Sequence, residues 1–102
     1  MECKKLVRDN ICFIIEAEGG SVDCRILNDE QYKTELIRKM HEETDEYAKD
    51  LNIEELADMW EVYRNIIQQS GYKFNEVLKV AKAKREKKGS FRDKIFLESF
   101  EM

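Results

Sequence analysis

The stretch HEETDEYAKDLNIEELADMW, residues 41–60, decides how this chain folds. It holds five Glu and three Asp in twenty positions, and apolar side chains recur among them at helical spacing. Asn52 lies in the middle and is followed three positions later by Glu55, a pattern typical of a helix N-terminus. The stretch therefore predicts the end of one helix and the beginning of the next, with carboxylates on both.

Capping residues and glycines extend this pattern to the rest of the chain. Asn28 with Gln31 also has the capping-box pattern, and glycines follow the expected ends of three helices. We expect helices over about residues 9–18, 28–50, 52–70 and 74–88. The fold class predicted is all-α: a single domain, residues 1–102, forming a compact four-helix antiparallel bundle, with room for short strands near residues 22–27 and 94–98.

Composition limits the classes of function. The chain of 102 residues is 42% hydrophobic and 39% charged and has no proline, which favours a folded helical domain over disorder. A net charge of −4 argues against general nucleic-acid binding through a positive field. No apolar run reaches the length of a membrane span or a signal-peptide core. We expect a cytoplasmic protein with no stable nucleic-acid or membrane binding.

The cysteines do not indicate a metal site. Cys3, Cys12 and Cys24 contain no CxxC pair, and their spacing to the lone His41 is not that of a zinc site. We expect buried free thiols, and we place His41 on a helix surface.

The carboxylates of the opening stretch fall on particular helix faces. At about 100° per residue, Glu43 lies within the apolar stripe of the second helix and Glu46 lies at its edge. On the third helix, Glu55 falls within a broad apolar arc and Asp58 lies at its border. Each helix therefore directs two carboxylates, one turn apart, toward the interior.

Four inward carboxylates require positive charge, because a buried charge must be paired or neutralised. Lysines or arginines of the fourth helix would supply it as structural salt bridges. A hard divalent cation such as Mg²⁺ is the alternative source, since such cations prefer oxygen ligands. Spacing alone leaves both interpretations open.

The fourth helix ends in basic residues. Lys84, Arg85 and Lys88 continue its apolar face, and Phe91 and Lys94 follow. Cations at this end of a helix suit its dipole and need no further role. An acidic metal site facing a basic end is also the arrangement that a polyphosphate ester requires.

Four blocks of sequence resemble a known family. They are KKLVRDNI, EETDE, EELADMWEVY and KKGSFRDKIFL, at residues 4–11, 42–46, 54–63 and 87–97. Together they resemble the all-α MazG-like nucleoside triphosphate pyrophosphohydrolases, and in particular the phosphoribosyl-ATP pyrophosphohydrolase-like members that act as house-cleaning enzymes. The resemblance covers nearly the whole chain, and its first and last blocks are the most specific.

The resemblance implies a metal site and a reaction. In the family, an ExxE followed by an ExxD binds Mg²⁺, for which Mn²⁺ can substitute, and these letters fall on Glu43, Glu46, Glu55 and Asp58. Glu42 becomes the candidate that activates water together with Glu43. The implied reaction cleaves a nucleoside triphosphate, or a nucleotide like phosphoribosyl-ATP, to a monophosphate and pyrophosphate. The substrate-binding candidates are Arg8, Lys84, Lys88, Phe91 and Lys94.

The chain departs from the family pattern at two places. Cys12 stands where similar sequences often carry Pro, and Lys88-Gly89-Ser90-Phe91 stands where they carry Arg-Gly-Gly-Phe. Lys can meet a phosphate as a point charge but lacks the bidentate geometry of Arg. These changes bear on substrate choice and rate and leave the metal ligands unaltered.

Two other functions and an assembly follow from the same residues. The chain is alternatively a non-catalytic helical module for dimerisation or partner binding, or a regulator that binds a nucleotide without turnover.

The apolar arc of the third helix, from Val62 around to Ala57, is wider than one neighbouring helix usually covers. It predicts a homodimer or homotetramer, as the family resemblance also implies. We assign Trp60 to the core rather than to base recognition.

Overall fold

The computed structural model describes residues 3–102, and these residues form four helices. The helices are α1 (Ile11–Ala17), α2 (Asp29–Lys49), α3 (Ile53–Ser70) and α4 (Phe74–Lys88). The predicted all-α class is confirmed, and each helix begins and ends within two residues of its expected bounds. Within residues 3–102, no helix has both the length and the apolar character needed to cross a bilayer.

The short strands suggested near residues 22–27 and 94–98 do not form. Both segments are irregular, and no strand occurs anywhere in the described part of the chain. A strand needs a neighbour to share its backbone hydrogen bonds, and alternation of apolar and polar residues alone does not provide one.

Asn28 fixes the start of α2. Its side-chain oxygen accepts a hydrogen bond from the Gln31 N–H at 2.8 Å, and the Gln31 side chain accepts one from the Asn28 N–H at 3.2 Å. Asp29 and Glu30 place negative charge in the first turn, where the helix dipole favours it. The predicted capping box of α2 is therefore complete.

The cap of α3 is formed only in part. The Asn52 side chain accepts a hydrogen bond from the Glu55 N–H at 3.0 Å. The Asn52 N–H, however, donates to the Asp50 carbonyl at 2.7 Å, so the Glu55 carboxylate is not used as the second half of a capping box. This leaves the Glu55 carboxylate free to lie among the other acidic residues.

Helices α2 and α3 form an antiparallel hairpin around a very small core. The Tyr32 hydroxyl, early in α2, donates to the Asn65 side chain, late in α3, at 3.4 Å. Leu36 and Ile67 are 3% and 5% exposed, and they are the only buried apolar side chains among residues 3–102. The other apolar side chains between the two helices, such as Met40, Met59 and Val62, are only half-buried within a single chain.

Helix α4 begins against α3 and leaves much apolar surface open. The rings of Trp60 and Phe74 pack edge to face with centroids 5.5 Å apart. Trp60 nevertheless remains 49% exposed, so its assignment to the core is wrong for a single chain. The radius of gyration is 18.1 Å, whereas a compact domain of about 100 residues has about 13 Å. The single chain is extended.

The expectation of buried free thiols is wrong. Cys12 and Cys24 form a disulfide with their Cα atoms 6.9 Å apart, and Cys3 is an exposed free thiol. The chain reverses after α1 at Gly19, whose φ of 92° suits glycine, and this reversal brings the following segment back beside α1. A core of two side chains offers no interior in which the thiols could be buried.

Asn28→Ala tests the cap of α2. Loss of the side-chain acceptor should lower the free energy of unfolding by about 1 kcal/mol, measured by urea denaturation followed by circular dichroism. Asn10→Ala is the matched control, because Asn10 precedes α1 without a side-chain capping bond. Equal effects of the two substitutions would contradict the role given to Asn28.

Candidate metal centre

Three carboxylates converge where the end of α2 meets the start of α3. One oxygen each from Glu43, Glu55 and Asp58 lies within 4.8 Å of the other two. Glu43 is 8% exposed and the other two are half-buried. We call these three residues the acidic cluster. Helical periodicity directed all three toward the interior, and for Glu43 the predicted burial is confirmed.

Glu46, the fourth predicted ligand, lies at the edge of the acidic cluster. Its side chain is exposed, and it is not one of the three residues whose oxygens converge. Its charge is close enough to contribute to the raised pKa of Glu55. Glu46 is thus a neighbour of the site, one turn along α2 from Glu43.

The acidic cluster carries unbalanced negative charge at Glu55. Partial desolvation, followed by repulsion from Asp58, Glu46 and Glu43, raises the pKa of this carboxyl above its ordinary value. Among the ion pairs of residues 3–102, none includes Glu55. Glu55 is therefore the member of the cluster that an added cation would relieve most.

Lys39 is the nearest ammonium group on α2. Its Nζ lies 3.2 Å from Glu42 Oε1 and 3.3 Å from Glu43 Oε1. Burial disfavours its charge, but the hydrogen bonds with Glu42 and Glu43 outweigh burial and raise the pKa of Lys39. Lys39 is not among the residues predicted from the sequence, although its position three and four residues before two glutamates indicates such ion pairs.

Two further cations come from the residues before α1. The Arg8 guanidinium donates a hydrogen bond to Asp58 Oδ1 at 2.7 Å, and Lys5 Nζ lies 3.7 Å from Glu42 Oε1. The sequence predicts that the salt-bridge partners of these carboxylates lie on the fourth helix. In the structure, the partners lie on α2 and near the N-terminus.

The other predicted substrate-binding residues lie apart from the acidic cluster. Within residues 3–102, no ion pair or hydrogen bond joins the cluster to the basic end of α4 or to the loop that follows; the predicted residues there are Lys84, Lys88, Phe91 and Lys94. All four are exposed, and residues 88–95 line an open depression of about 490 Å³. In that loop the Ser90 hydroxyl accepts a hydrogen bond from the Arg92 N–H at 3.1 Å. One chain does not bring its acidic and basic regions into contact.

The donor set of the acidic cluster fits a hard divalent cation. It offers three carboxylate oxygens from two packed helices, and Mg²⁺ needs only one or two carboxylates because it retains several waters. Lys39 and Arg8 neutralise part of the charge through Glu43 and Asp58. By charge and by ligand type, Mg²⁺ and Mn²⁺ are thus compatible with the acidic cluster and with Glu55 in it.

No protein-family model, curated protein or solved structure matches this chain. A functional assignment therefore depends on the residues of the acidic cluster, on their surroundings and on the sequence blocks that contain them.

Glu55→Gln tests the electrostatics of the acidic cluster. In the folded state the pKa of Glu55 is raised above its unfolded value, so its ionised form costs stability at pH 7 and costs none below about pH 3.5, where both states are protonated. The substitution should raise Tm at pH 7 in the presence of a chelator, and this gain should disappear in acid.

Glu54→Gln is the matched control. It removes the same charge from the first turn of α3 but lies outside the cluster and is exposed. It should leave Tm unchanged or lower it slightly, because negative charge suits a helix N-terminus. A fall in Tm at pH 7 for Glu55→Gln would show that this carboxylate stabilises the fold.

Proposed function

We propose that this chain is a Mg²⁺-dependent nucleotide pyrophosphohydrolase of the MazG-like kind. The observation that supports it most is the convergence of Glu43, Glu55 and Asp58, whose oxygens lie within 4.8 Å of one another. The same residues occupy the ExxE and ExxD positions of the family that the sequence resembles. Periodicity, three-dimensional placement and resemblance therefore favour the same ligands.

The proposed reaction is hydrolysis between the α- and β-phosphates of a nucleotide. Water adds to the α-phosphorus, the bond from that phosphorus to the bridging oxygen breaks, and pyrophosphate leaves with that oxygen. The second product is the nucleoside monophosphate, or its counterpart from a nucleotide like phosphoribosyl-ATP. The cytoplasm, where nucleoside triphosphates are abundant, is the compartment we propose.

Each carboxylate has a separate task in this proposal. Glu43, Glu55 and Asp58 hold the cation, with Glu46 as a further ligand from the edge of the cluster. Bound Mg²⁺ would neutralise phosphate oxygens and polarise the bond to be broken. Glu42 orients the attacking water and accepts its proton. The ion pairs of Glu42 with Lys39 and Lys5 both use Oε1, which leaves Oε2 as the atom for this role.

The basic groups neutralise the substrate. Lys84, Lys88 and Lys94 would bind phosphate oxygens, and Phe91, which is 98% exposed, would stack on the base. Arg8 is already paired with Asp58, so its contribution to phosphate binding requires that pair to open.

Assembly would bring the acidic and basic regions together. On α3, Leu56, Trp60 and Tyr63 recur at helical spacing, and each is between 43% and 49% exposed. This apolar face suits burial against a second copy of the chain. We propose a homodimer or homotetramer in which the basic end of α4 from one copy serves the acidic cluster of another.

One observation favours a second candidate function. Lys39, Arg8 and Lys5 supply positive charge to the acidic residues without any metal. A non-catalytic helical module for dimerisation or partner binding would need only these ion pairs and the apolar face. A regulator that binds a nucleotide without turnover would share the cation site, and only measured turnover separates it from the enzyme.

The reaction is tested with a panel of canonical and damaged nucleotides and phosphoribosyl-ATP in the presence of Mg²⁺. Active substrates should release pyrophosphate and monophosphate in equal amounts, and a chelator should abolish the activity. Separate detection of pyrophosphate and orthophosphate makes the measurement. Orthophosphate as the sole phosphate product would mean cleavage at the γ-phosphate and would contradict the proposed mechanism.

Glu43→Gln on an active substrate tests the ligand assignment. It should lower kcat by about 100-fold or more, since second-sphere changes at metal sites alone cost 10–100-fold. Asp45→Asn is the control, because Asp45 lies on the same helix but is exposed and outside the cluster. Unfolding of Glu43→Gln, together with no effect of Mg²⁺ on the unchanged protein, would favour the structural module.

Light scattering at micromolar concentration tests the assembly. The expected mass is at least twice the 12.2 kDa of one chain, and Leu56→Glu should shift the protein toward monomer by placing charge on the apolar face of α3. Ile26→Glu is the control, since Ile26 is 99% exposed and lies outside the helices. A monomer with full activity would refute the assembly.

A further inference from the structure

Residues 3–10, which precede α1, form what we call the N-terminal arm. Arg8 of the arm pairs with Asp58 of the acidic cluster at 2.7 Å, and Lys5 lies 3.7 Å from Glu42. Leu6 and Val7, between these two cations, are half-buried. The arm therefore lies over both α2 and α3, directly beside the candidate metal centre.

The contacts of the arm with the acidic cluster are weak by themselves. Arg8 and Asp58 have side chains that are 58% and 40% exposed, and ion pairs with this much solvent contribute little. Helix α1, which continues the arm, has no close packing contact with α2, α3 or α4. The fraction of molecules in which Arg8 pairs with Asp58 therefore depends on the packing of Leu6 and Val7 and on how the arm is attached to the rest of the chain.

The disulfide supplies that attachment. Cys12 is seventeen positions before Asp29, the first residue of α2, whereas Cys24 is only five positions before it. With the disulfide intact, five residues connect the arm to α2; with the disulfide reduced, seventeen do. For a flexible tether, local concentration falls as the −3/2 power of its length, so reduction would dilute Arg8 at the cluster by at most about six-fold. Six-fold is an upper limit because residues 12–17 of the longer tether belong to helix α1 and are stiff.

We propose that the Cys12–Cys24 disulfide controls the affinity of the acidic cluster for a divalent cation by holding Arg8 on Asp58. The intact disulfide keeps the guanidinium in competition with the cation and lowers the affinity. Reduction loosens the arm and raises the affinity of the acidic cluster for the cation. Arg8 acts here as a positioning residue for Asp58, and the inference rests on the proposed function because it requires a cation at the cluster.

The redox step needs a dithiol reductant. One of its thiolates attacks the Sγ of Cys24, the more exposed partner, and Cys12 leaves as a thiolate that takes up a proton. The second thiol of the reductant then displaces Cys24, which also becomes a thiol. Two electrons and two protons pass to the protein, and the reductant becomes a disulfide. Stable disulfides are rare in the proposed compartment because its reductants keep thiols reduced, and those that do form there are mostly transient or redox-sensing.

The test uses the full chain with Cys3→Ser throughout, so that the exposed third thiol cannot exchange. Binding of Mn²⁺ alone is measured by electron paramagnetic resonance for the oxidised form, the form reduced with a dithiol, and Cys12→Ser/Cys24→Ser. Opening the disulfide should lower the Kd about two- to six-fold. Arg8→Gln should remove the difference between the redox forms, and Arg25→Gln, an exposed arginine beside Cys24, should preserve it.

A second measurement needs no metal. Trypsin should cut after Lys5 and Arg8 faster once the disulfide is open, because the arm then leaves α2 and α3 more often. Equal cleavage rates, or equal Mn²⁺ affinities with Arg8 in place, would overturn this inference. Failure of every form to bind Mn²⁺ would instead overturn the proposed function, while the cleavage rates would still report on the arm.

Discussion

Repulsion among the carboxylates of the acidic cluster is the constraint on which the rest of the structure depends. Among the apolar side chains of residues 3–102, the hairpin of α2 and α3 fully buries only Leu36 and Ile67, and it concentrates negative charge near the junction of the two helices. Apolar packing on this scale is too small to outweigh uncompensated charge. The hairpin therefore closes with cations at the cluster, and Lys39 and Arg8 are the ones that the chain itself provides.

The elements that the sequence predicted well are those governed by neighbours along the chain. Asn28 and Asn52 mark helix starts because their side chains bond to N–H groups three residues ahead, and periodicity placed Glu43, Glu55 and Asp58 on one side for the same local reason. The pairing of Arg8 with Asp58 spans fifty positions and has no local signature. The disulfide likewise depends on the reversal of the chain after α1, and spacing does not encode that reversal.

Separation of charge within one chain connects the candidate site to the proposed assembly. The acidic cluster lies at the junction of α2 and α3, while the basic residues of α4 and the following loop are exposed and make no ion pair with it in residues 3–102. A phosphate ester needs both regions at once. Trp60 of α3 follows the residues of the acidic cluster in sequence and precedes the basic residues of α4, and about half of its side chain is exposed. Burial of that apolar face against another copy would thus serve stability and substrate binding together.

The small core also has a consequence for the kinetics of folding. Helices of this chain can form within microseconds, and the absence of proline removes the slow isomerisation that delays many refolding proteins. With only two fully buried apolar side chains among residues 3–102, tertiary packing within one chain stabilises these helices little. If the chain forms the proposed homodimer, the step that commits it to its native state would be an encounter between two molecules. Its rate would rise with concentration, and dilution would act on this protein much as a denaturant does.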